Sequence, residues 1–533
     1  MSTPAAEPIS ERDIRREVAD LARRHERRRH LLPRALLVGA VSGLVAVLFR
    51  LTIDFLDERR TAFFAFCHRL GPWGALLPIV ACAAGSAVAV WAVRRLAPET
   101  SGSGIPHVKA VLHRLRGLRW RRVLAVKFLS GAAGIGSGLT LGREGPTVQM
   151  GAAVGQGVSR WLRVTPRERQ TLIAAGAGAG LAAAFNAPLA GVIFVLEELR
   201  RDFAPGTLTA GFVASVTGDV VTRYLLGQLP VFHVARALVP PLSNLPVFAA
   251  LGLAAGLAGV GFNRTLLASL RTFDRFRERP LAVGAVVGAA VGLTGWFAPS
   301  VLGGGGRLVQ QTLTGQVSLA VLPLLLLLRF TLTMGSYGSG AAGGIFAPLL
   351  VIGAQLGLLV GLVGERLLPA VVAQPTAFAV VGMGALFAAI VRAPLTGIVL
   401  ILEMTENYSL MLPLLLACFV AYLFADLLRD EPIYEALLER DLRRSQEKPE
   451  LEGTLLLDLV VQPGAAFAGR RLDELGLPKR ALVVSVQRGL RSEVPTHDTV
   501  LKAGDVITVV VSPEAAAAVA MLKDGVESPP APF

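Results

Sequence analysis

Residues 142–149 read Gly-Arg-Glu-Gly-Pro-Thr-Val-Gln. A glycine-rich break just before a proline starts a helix, because proline is tolerated in the first turn. A helix start offers unpaired main-chain N–H groups and the positive end of the dipole, which together seat an anion. Two more segments share this character, GSGIP at 102–106 and GSGAAGGIFAP at 338–348. Read singly, GSGIP or GREGP is more often a turn or a packing glycine. Three such breaks aimed at one point would replace the hydration shell of a small anion.

Their surroundings are apolar. Of 533 residues, 53% are hydrophobic and 17% charged, and mean hydropathy is +0.56. A soluble chain carries about a quarter of its residues charged. The composition therefore excludes an ordinary cytosolic enzyme and a disordered chain, and reads as a polytopic membrane protein. Fifty-seven glycines exclude a simple bundle of long Leu-rich spans and imply close backbone approach or broken helices. Apolar stretches run over 35–56, 74–93, 123–140, 165–200, 207–226, 245–268, 281–302, 317–334, 346–371, 376–403 and 409–428, against the roughly 20 residues a span needs. Cys67, Cys82 and Cys418 show no metal-ligand spacing and read as small buried apolar residues, with no metal site. The net charge of +14 comes from arginines beside the spans, so it speaks for cytoplasmic loops rather than nucleic acid.

Residues 1–34 mix arginines with acids and show no secretory h-region. Ile14, Val18, Leu21 and Ala22 recur at helical spacing, which fits a cytoplasmic amphipathic helix at the membrane surface; a solvated charged leader is the alternative. The basic run Lys109, Arg114, Arg116, Arg119, Arg121 and Arg122 also belongs on the cytoplasmic side. Gly176–Glu197 overlays Gly382–Glu403 at an offset of 206, with eleven of twenty-two positions identical and APLxG followed by LE in both. Repeated halves mark many transporter folds, with the site between them near the bilayer midplane.

Composition changes after residue 429. Charged residues gather over 435–448, and a small α+β segment follows over 451–525. Its β-like runs are 455–461, 481–487 and 505–511, with short helices expected around 471–475 and 513–522. The tail 526–533 reads as disordered.

GSGIP, GREGPTVQ, AAAFNAPLAG (182–191) and GSGAAGGIFAP, in that order with Tyr434 downstream, resemble the CLC family of chloride channels and chloride/proton antiporters over about residues 35–447. The resemblance implies an all-α membrane fold of two inverted repeats of broken, tilted helices. It also implies a homodimer in the plasma membrane, among lipids, with both termini cytoplasmic. It assigns the Ser103 and Tyr434 hydroxyls and the Ile345 and Phe346 amides to a central chloride, and the amides around Arg143, Glu144 and Gly145 to an outer anion. Serine within GSGIP resembles the chloride-preferring members rather than the nitrate-preferring ones.

Glu144 becomes gate and outer proton carrier: a carboxylate among N–H donors competes with chloride and leaves when protonated. The alternative is a glutamate capping the helix at Pro146. Glu198 matches the inner proton-transfer glutamate of family antiporters, where channel members carry valine. Its alternative is an i, i+3 ion pair with Arg201. Two positions depart from the family pattern: His107 replaces a common glutamate and Ala342 a proline. Lys127 matches a family lysine that raises the local potential for anions; interfacial snorkelling is the other reading.

Residues 460–510 resemble the TrkA-C (RCK-C) regulatory domains of potassium transport systems. These usually dimerise, and some bind cyclic dinucleotides. A ligand site near Arg488, Arg491 and His497, or an assembly domain with no ligand, are both open. A passive chloride channel shares the pore without the coupling, and Glu198 favours the antiporter. A potassium transporter would need a carbonyl filter of TVGYG type, which the sequence lacks. No nucleophile–base constellation or cofactor motif points to an enzyme.

Overall fold

Prolines mark many of the helix starts. Pro166, Pro188, Pro205, Pro280, Pro375 and Pro394 each open a helix, where a missing N–H costs nothing. The computed structural model describes residues 11–228, 230–232, 234, 240–444, 455–477, 481–489, 491–512 and 516–527. Its first helices are α1 (Glu11–His68), α2 (Leu76–Leu96), α3 (Ile105–Leu112), α4 (Trp120–Gly136), α5 (Glu144–Trp161), α6 (Pro166–Phe185), α7 (Pro188–Phe194) and α8 (Pro205–Leu226). A π-helical turn, Val195–Arg200, continues α7. The second set is α9 (Leu245–Asp274), α10 (Pro280–Phe297), α11 (Gly306–Leu313), α12 (Leu322–Gly338), α13 (Phe346–Leu367), α14 (Pro375–Val391), α15 (Pro394–Thr405), α16 (Met411–Leu427) and α17 (Ile433–Arg444).

Among the described residues, six helices are long and apolar enough to cross a membrane: His30–His68, Pro72–Leu96, Leu242–Asp274, Pro280–Phe297, Phe346–Leu367 and Tyr408–Leu427. The leader and first span form one helix, because α1 runs unbroken through Pro33. Two apolar stretches that look continuous in sequence are broken. The 165–200 stretch stops at Asn186 (φ 52°) and the 376–403 stretch at Arg392 (φ 64°). Both residues adopt the left-handed conformation that ends a helix, and they are equivalent in the repeat.

The two halves exchange equivalent contacts. Glu197 accepts the main-chain N–H groups of Leu395 (3.1 Å) and Thr396 (2.7 Å) at the start of α15. Glu403 accepts those of Leu189 (3.0 Å) and Ala190 (2.8 Å) at the start of α7. Every partner pair is related by the same offset, and such self-complementary exchange is what a two-fold axis produces. Glycines set the packing within each half. Gly151 and Gly176 bring α5 against α6, and Gly353 and Gly382 bring α13 against α14; a Cβ on any of the four would strike the partner's backbone.

The described residues fall into two compact units: residues up to Leu112 with Leu118–Asp441, and His113–Gly117 with the residues from Leu442 onward. The division thus falls inside α17. The second unit contains β1 (Leu455–Val460), β2 (Ala481–Arg488), β3 (Arg491–Glu493), β4 (Val506–Val511) and α18 (Ala516–Val526). The sheet is antiparallel in the order β1-β4-β2-β3. Val461, Phe467, Val486, Leu501, Ile507, Val509 and Leu522 are among its buried core. The three expected strands are present, and the short β3 is added by the hairpin after β2. The helix expected over 513–522 begins at Ala516 and reaches Val526, so it takes in the first residue of the expected tail; residues 528–533 lie outside the described residues.

Candidate anion site and proton groups

The three glycine breaks meet. Gly142 and Gly344 exchange both main-chain hydrogen bonds at 2.7 Å, and Gly343 N–H donates to the Gly102 carbonyl at 2.9 Å. Gly102 N–H donates to the Ala341 carbonyl at 3.1 Å. Each segment runs into a helix start: α3 begins within GSGIP, α5 within GREGP and α13 within GGIFAP. A Cβ on Gly145 would lie 2.7 Å from the Ser103 carbonyl oxygen, so only glycine lets α5 approach GSGIP this closely. Glycine has no Cβ to exclude, and the irregular backbone finds its partners in the other irregular segments rather than in lipid.

Ser103, Ile345, Phe346 and Tyr434 are all fully buried. Ser103 Oγ accepts Ile105 N–H at 3.3 Å. Ile345 caps α13 and Phe346 is its first residue, where main-chain N–H groups have no acceptor within the helix. The Phe346 ring packs among Phe185, Phe194 and Phe387. Tyr434 sits in the first turn of α17, and its buried hydroxyl has no hydrogen-bond partner among the described residues. It interacts electrostatically with Tyr337, Glu198 and Glu144.

Glu144 is buried at the start of α5. Its carboxylate lies by two main-chain N–H groups, its own and that of Ala347 in the first turn of α13, and Oε2 has no hydrogen-bond partner among the described residues. The side chain therefore reaches across to another helix start rather than only capping its own. Arg143 lies at the cap of α5 and pairs with Asp54 at 3.3 Å. Arg329 is fully buried and faces Glu144 electrostatically while donating to the Val301 carbonyl at 2.7 Å.

Glu198 is 1% exposed. The i, i+3 pair with Arg201 is not what holds it: Glu198 Oε1 accepts Lys109 Nζ at 2.8 Å, and Arg201 pairs with Glu435. Lys109 also reaches Glu435 at 2.5 Å. Lys109 thus leaves the basic loop to which charge counting assigned it. It sits in the last turn of α3, buried, because that helix is only eight residues long. Lys127 does not snorkel. It is fully buried and clamps GSGIP through the carbonyls of Thr100 (2.9 Å) and Gly102 (2.7 Å). His107 lies beside Gln149 at 3.1 Å.

Sequence reasoning missed Tyr337, Arg329 and the role of Lys109. The available signals were a tyrosine just ahead of GSGAAGG, an arginine inside the apolar 317–334 stretch, and a lysine inside the run IPHVKAVL. In the second unit, Arg488 is committed to Asp505 through two bonds (2.8 and 2.7 Å) and donates to the Val500 carbonyl. His497 lies by Asp498. Arg488 is thus engaged within its own domain, and these contacts lend no support to a dinucleotide site there, one of the two readings open from the sequence.

Comparisons with known proteins agree with this geometry. The family described as "Voltage gated chloride channel" matches residues 85–426, and the TrkA-C domain family matches residues 456–523. The chain is similar to the H(+)/Cl(−) exchange transporter ClcA of Vibrio parahaemolyticus, at 41% identity over 78% of this chain and 91% of the relative. It is also similar to that of Klebsiella pneumoniae, at 38% identity over 77% and 89%. A solved slow cyanobacterial Cl−/H+ antiporter superposes with a TM-score of 0.74 at 37% identity, covering 78% of this chain and 99% of that one. With three glycine breaks joined into one cradle, a repeat that exchanges its own caps, and relatives matched over most of their length, the chain belongs to the voltage gated chloride channel (CLC) family, with a TrkA-C domain at its C-terminal end.

Proposed function

We propose that the protein exchanges chloride for protons across the membrane, with Glu144 as gate and outer proton carrier and Glu198 as inner proton carrier. One observation carries the reading: the Glu144 carboxylate lies by the main-chain N–H of Ala347 at the start of α13, the kind of donor that would otherwise hold chloride. Carboxylate and chloride then compete for one seat. Protonation removes the charge that holds the side chain there, so proton uptake and chloride entry become one event.

The central chloride is held by the hydroxyls of Ser103 and Tyr434 and by the amides of Ile345 and Phe346. The outer anion sits on the amides around Arg143, Glu144 and Gly145. Glu198 serves the inner proton route; Tyr434 feels both carboxylates, which is the relation a proton route past the central anion needs. A passive channel would have no use for a carboxylate buried with a lysine at the inner end. The working unit is a homodimer in the plasma membrane, with both termini cytoplasmic.

The test uses purified protein in liposomes under a chloride gradient alone, following external pH in lightly buffered medium. Exchange predicts uphill proton movement in the wild type. Glu144→Ala and Glu198→Ala abolish it while chloride still flows. Chloride flux in the wild type with no proton movement would make the protein a channel.

A further inference from the structure

We propose that Tyr337 is a positioning residue for the central anion site: its phenol fixes the Ser103 hydroxyl so that the serine proton points at the anion. This rests on the reading of Ser103 as a chloride ligand.

Tyr337 closes the last turn of α12 and is 4% exposed. Its ring fills the space beside Gly102, where a Cβ would come within 2.7 Å of the phenol oxygen and 2.9 Å of Cζ. Gly102 also has φ at 60°, so both its conformation and its missing Cβ make room for this ring. The phenol oxygen accepts the Ser103 main-chain N–H at 3.5 Å, which brings the phenol beside the Ser103 side chain.

A serine hydroxyl has one proton and two acceptor lone pairs. Ile105 N–H occupies one lone pair of Ser103 Oγ at 3.3 Å. An anion beside Ser103 draws the serine proton to itself, and the Tyr337 proton fills the second lone pair. The result is a directed chain from the Tyr337 O–H through the Ser103 O–H to the anion. Each donor in such a chain polarises the next and strengthens it. Without the phenol the serine hydroxyl keeps a free lone pair and more than one orientation. Tyr337 also interacts electrostatically with Tyr434, whose hydroxyl is the other one assigned to the ion.

The experiment is a double-mutant cycle on the purified full-length protein. Chloride binding is measured by calorimetry on wild type, Tyr337→Phe, Ser103→Ala and the double variant. Tyr337→Phe keeps the ring that packs on Gly102 and removes only the hydroxyl. The expected result is about fivefold weaker chloride binding in Tyr337→Phe, the worth of one neutral hydrogen bond. In the double variant, the Tyr337 change adds nothing to Ser103→Ala. In liposomes, Tyr337→Phe raises the chloride concentration for half-maximal flux and leaves maximal flux per protein unchanged, whereas a packing defect would lower the maximum. Wild-type binding by Tyr337→Phe, or full additivity in the double variant, overturns the proposal. Wild-type binding by Ser103→Ala instead overturns the assignment of Ser103 itself, and the two failures are read from different variants.

Discussion

Gly142→Ala should evict the Glu144 carboxylate, the proposed gate, without removing it. A Cβ at Gly142 would fall inside van der Waals contact of Glu144 Oε2, the free end of a flexible side chain, and would lie 3.0 Å from the Ala347 nitrogen. Gly142 is outside the left-handed region, so alanine brings no backbone strain there. The paired main-chain bonds to Gly344 at 2.7 Å do not involve the new methyl group. The carboxylate must therefore leave its seat on the Ala347 N–H. A hydrogen bond to a charged group is worth about 1.5–3 kcal/mol. The seated state of Glu144 then loses about ten- to a hundredfold in population relative to the swung-out state. Chloride binding tightens because its competitor is displaced, and fewer protons move per chloride. Calorimetry with chloride and paired proton and chloride fluxes in liposomes read both effects. The control is Gly142→Ala in a Glu144→Ala background, where no carboxylate remains to evict and the methyl group should be silent. An equal effect in both backgrounds would mean that the methyl group obstructs the path directly, and the argument would be refuted.

Three further outcomes follow from other contacts. Lys109→Met leaves Glu198 and Glu435 without the ammonium that joins them at 2.8 and 2.5 Å; proton movement falls at least tenfold while chloride flux persists, and flux assays on one preparation separate the two. Glu403→Ala leaves two main-chain N–H donors of α7 without their carboxylate acceptor and costs about 1–3 kcal/mol, and Glu197→Ala costs a similar amount at α15, both read as a lowered detergent-solubilised melting temperature. In the C-terminal domain, the Arg488 hydrogen bonds hold the Asp505 carboxyl below the usual range, aided by the Lys502 main-chain N–H. The stability this gives is present above the unfolded aspartate value of about 3.9 and is lost as pH falls through the lower folded value. Hydrogen exchange at β4 in the full-length protein should quicken over that acid window in the wild type, and Asp505→Asn should exchange faster at neutral pH with a flatter acid response.

Legibility in the sequence followed the range of the interactions. GSGIP, GREGP and GGIFAP each announce a helix start locally, because glycine and proline act on their own backbone. Their convergence depends on bonds between Gly102, Gly142 and residues 341–344, some two hundred residues apart, and no local pattern encodes those partners. Helix α5 escaped the search for apolar stretches because Glu144, Gln149 and Gln156 dilute it. Those residues are buried against protein, so hydropathy was the wrong test for that helix. Asn186 and Arg392 escaped for the opposite reason: each is one left-handed residue inside an apolar run, too small a signal to break a window average. Lys109 was misplaced because charge counting treats every lysine near a span as loop; the buried Glu198 together with the part-exposed Glu435 holds it inside.

The repeat connects these misses. Glu197 and Glu403 cap each other's half, so both glutamates are spent on holding the halves together. The next residue is where the symmetry fails: Glu198 in the first half corresponds to Met404 in the second. The same contrast holds at the glycine breaks, where GREGP places Glu144 and its partner segment GGIFAP places Phe346. A two-fold cradle would bind an anion equally from either side. Both proposed proton carriers lie in the first half alone, and Tyr434 interacts electrostatically with each. On the proposed assignment, symmetry builds the anion seat, and its breaking at Glu144 and Glu198 is what would give the proton a route of its own.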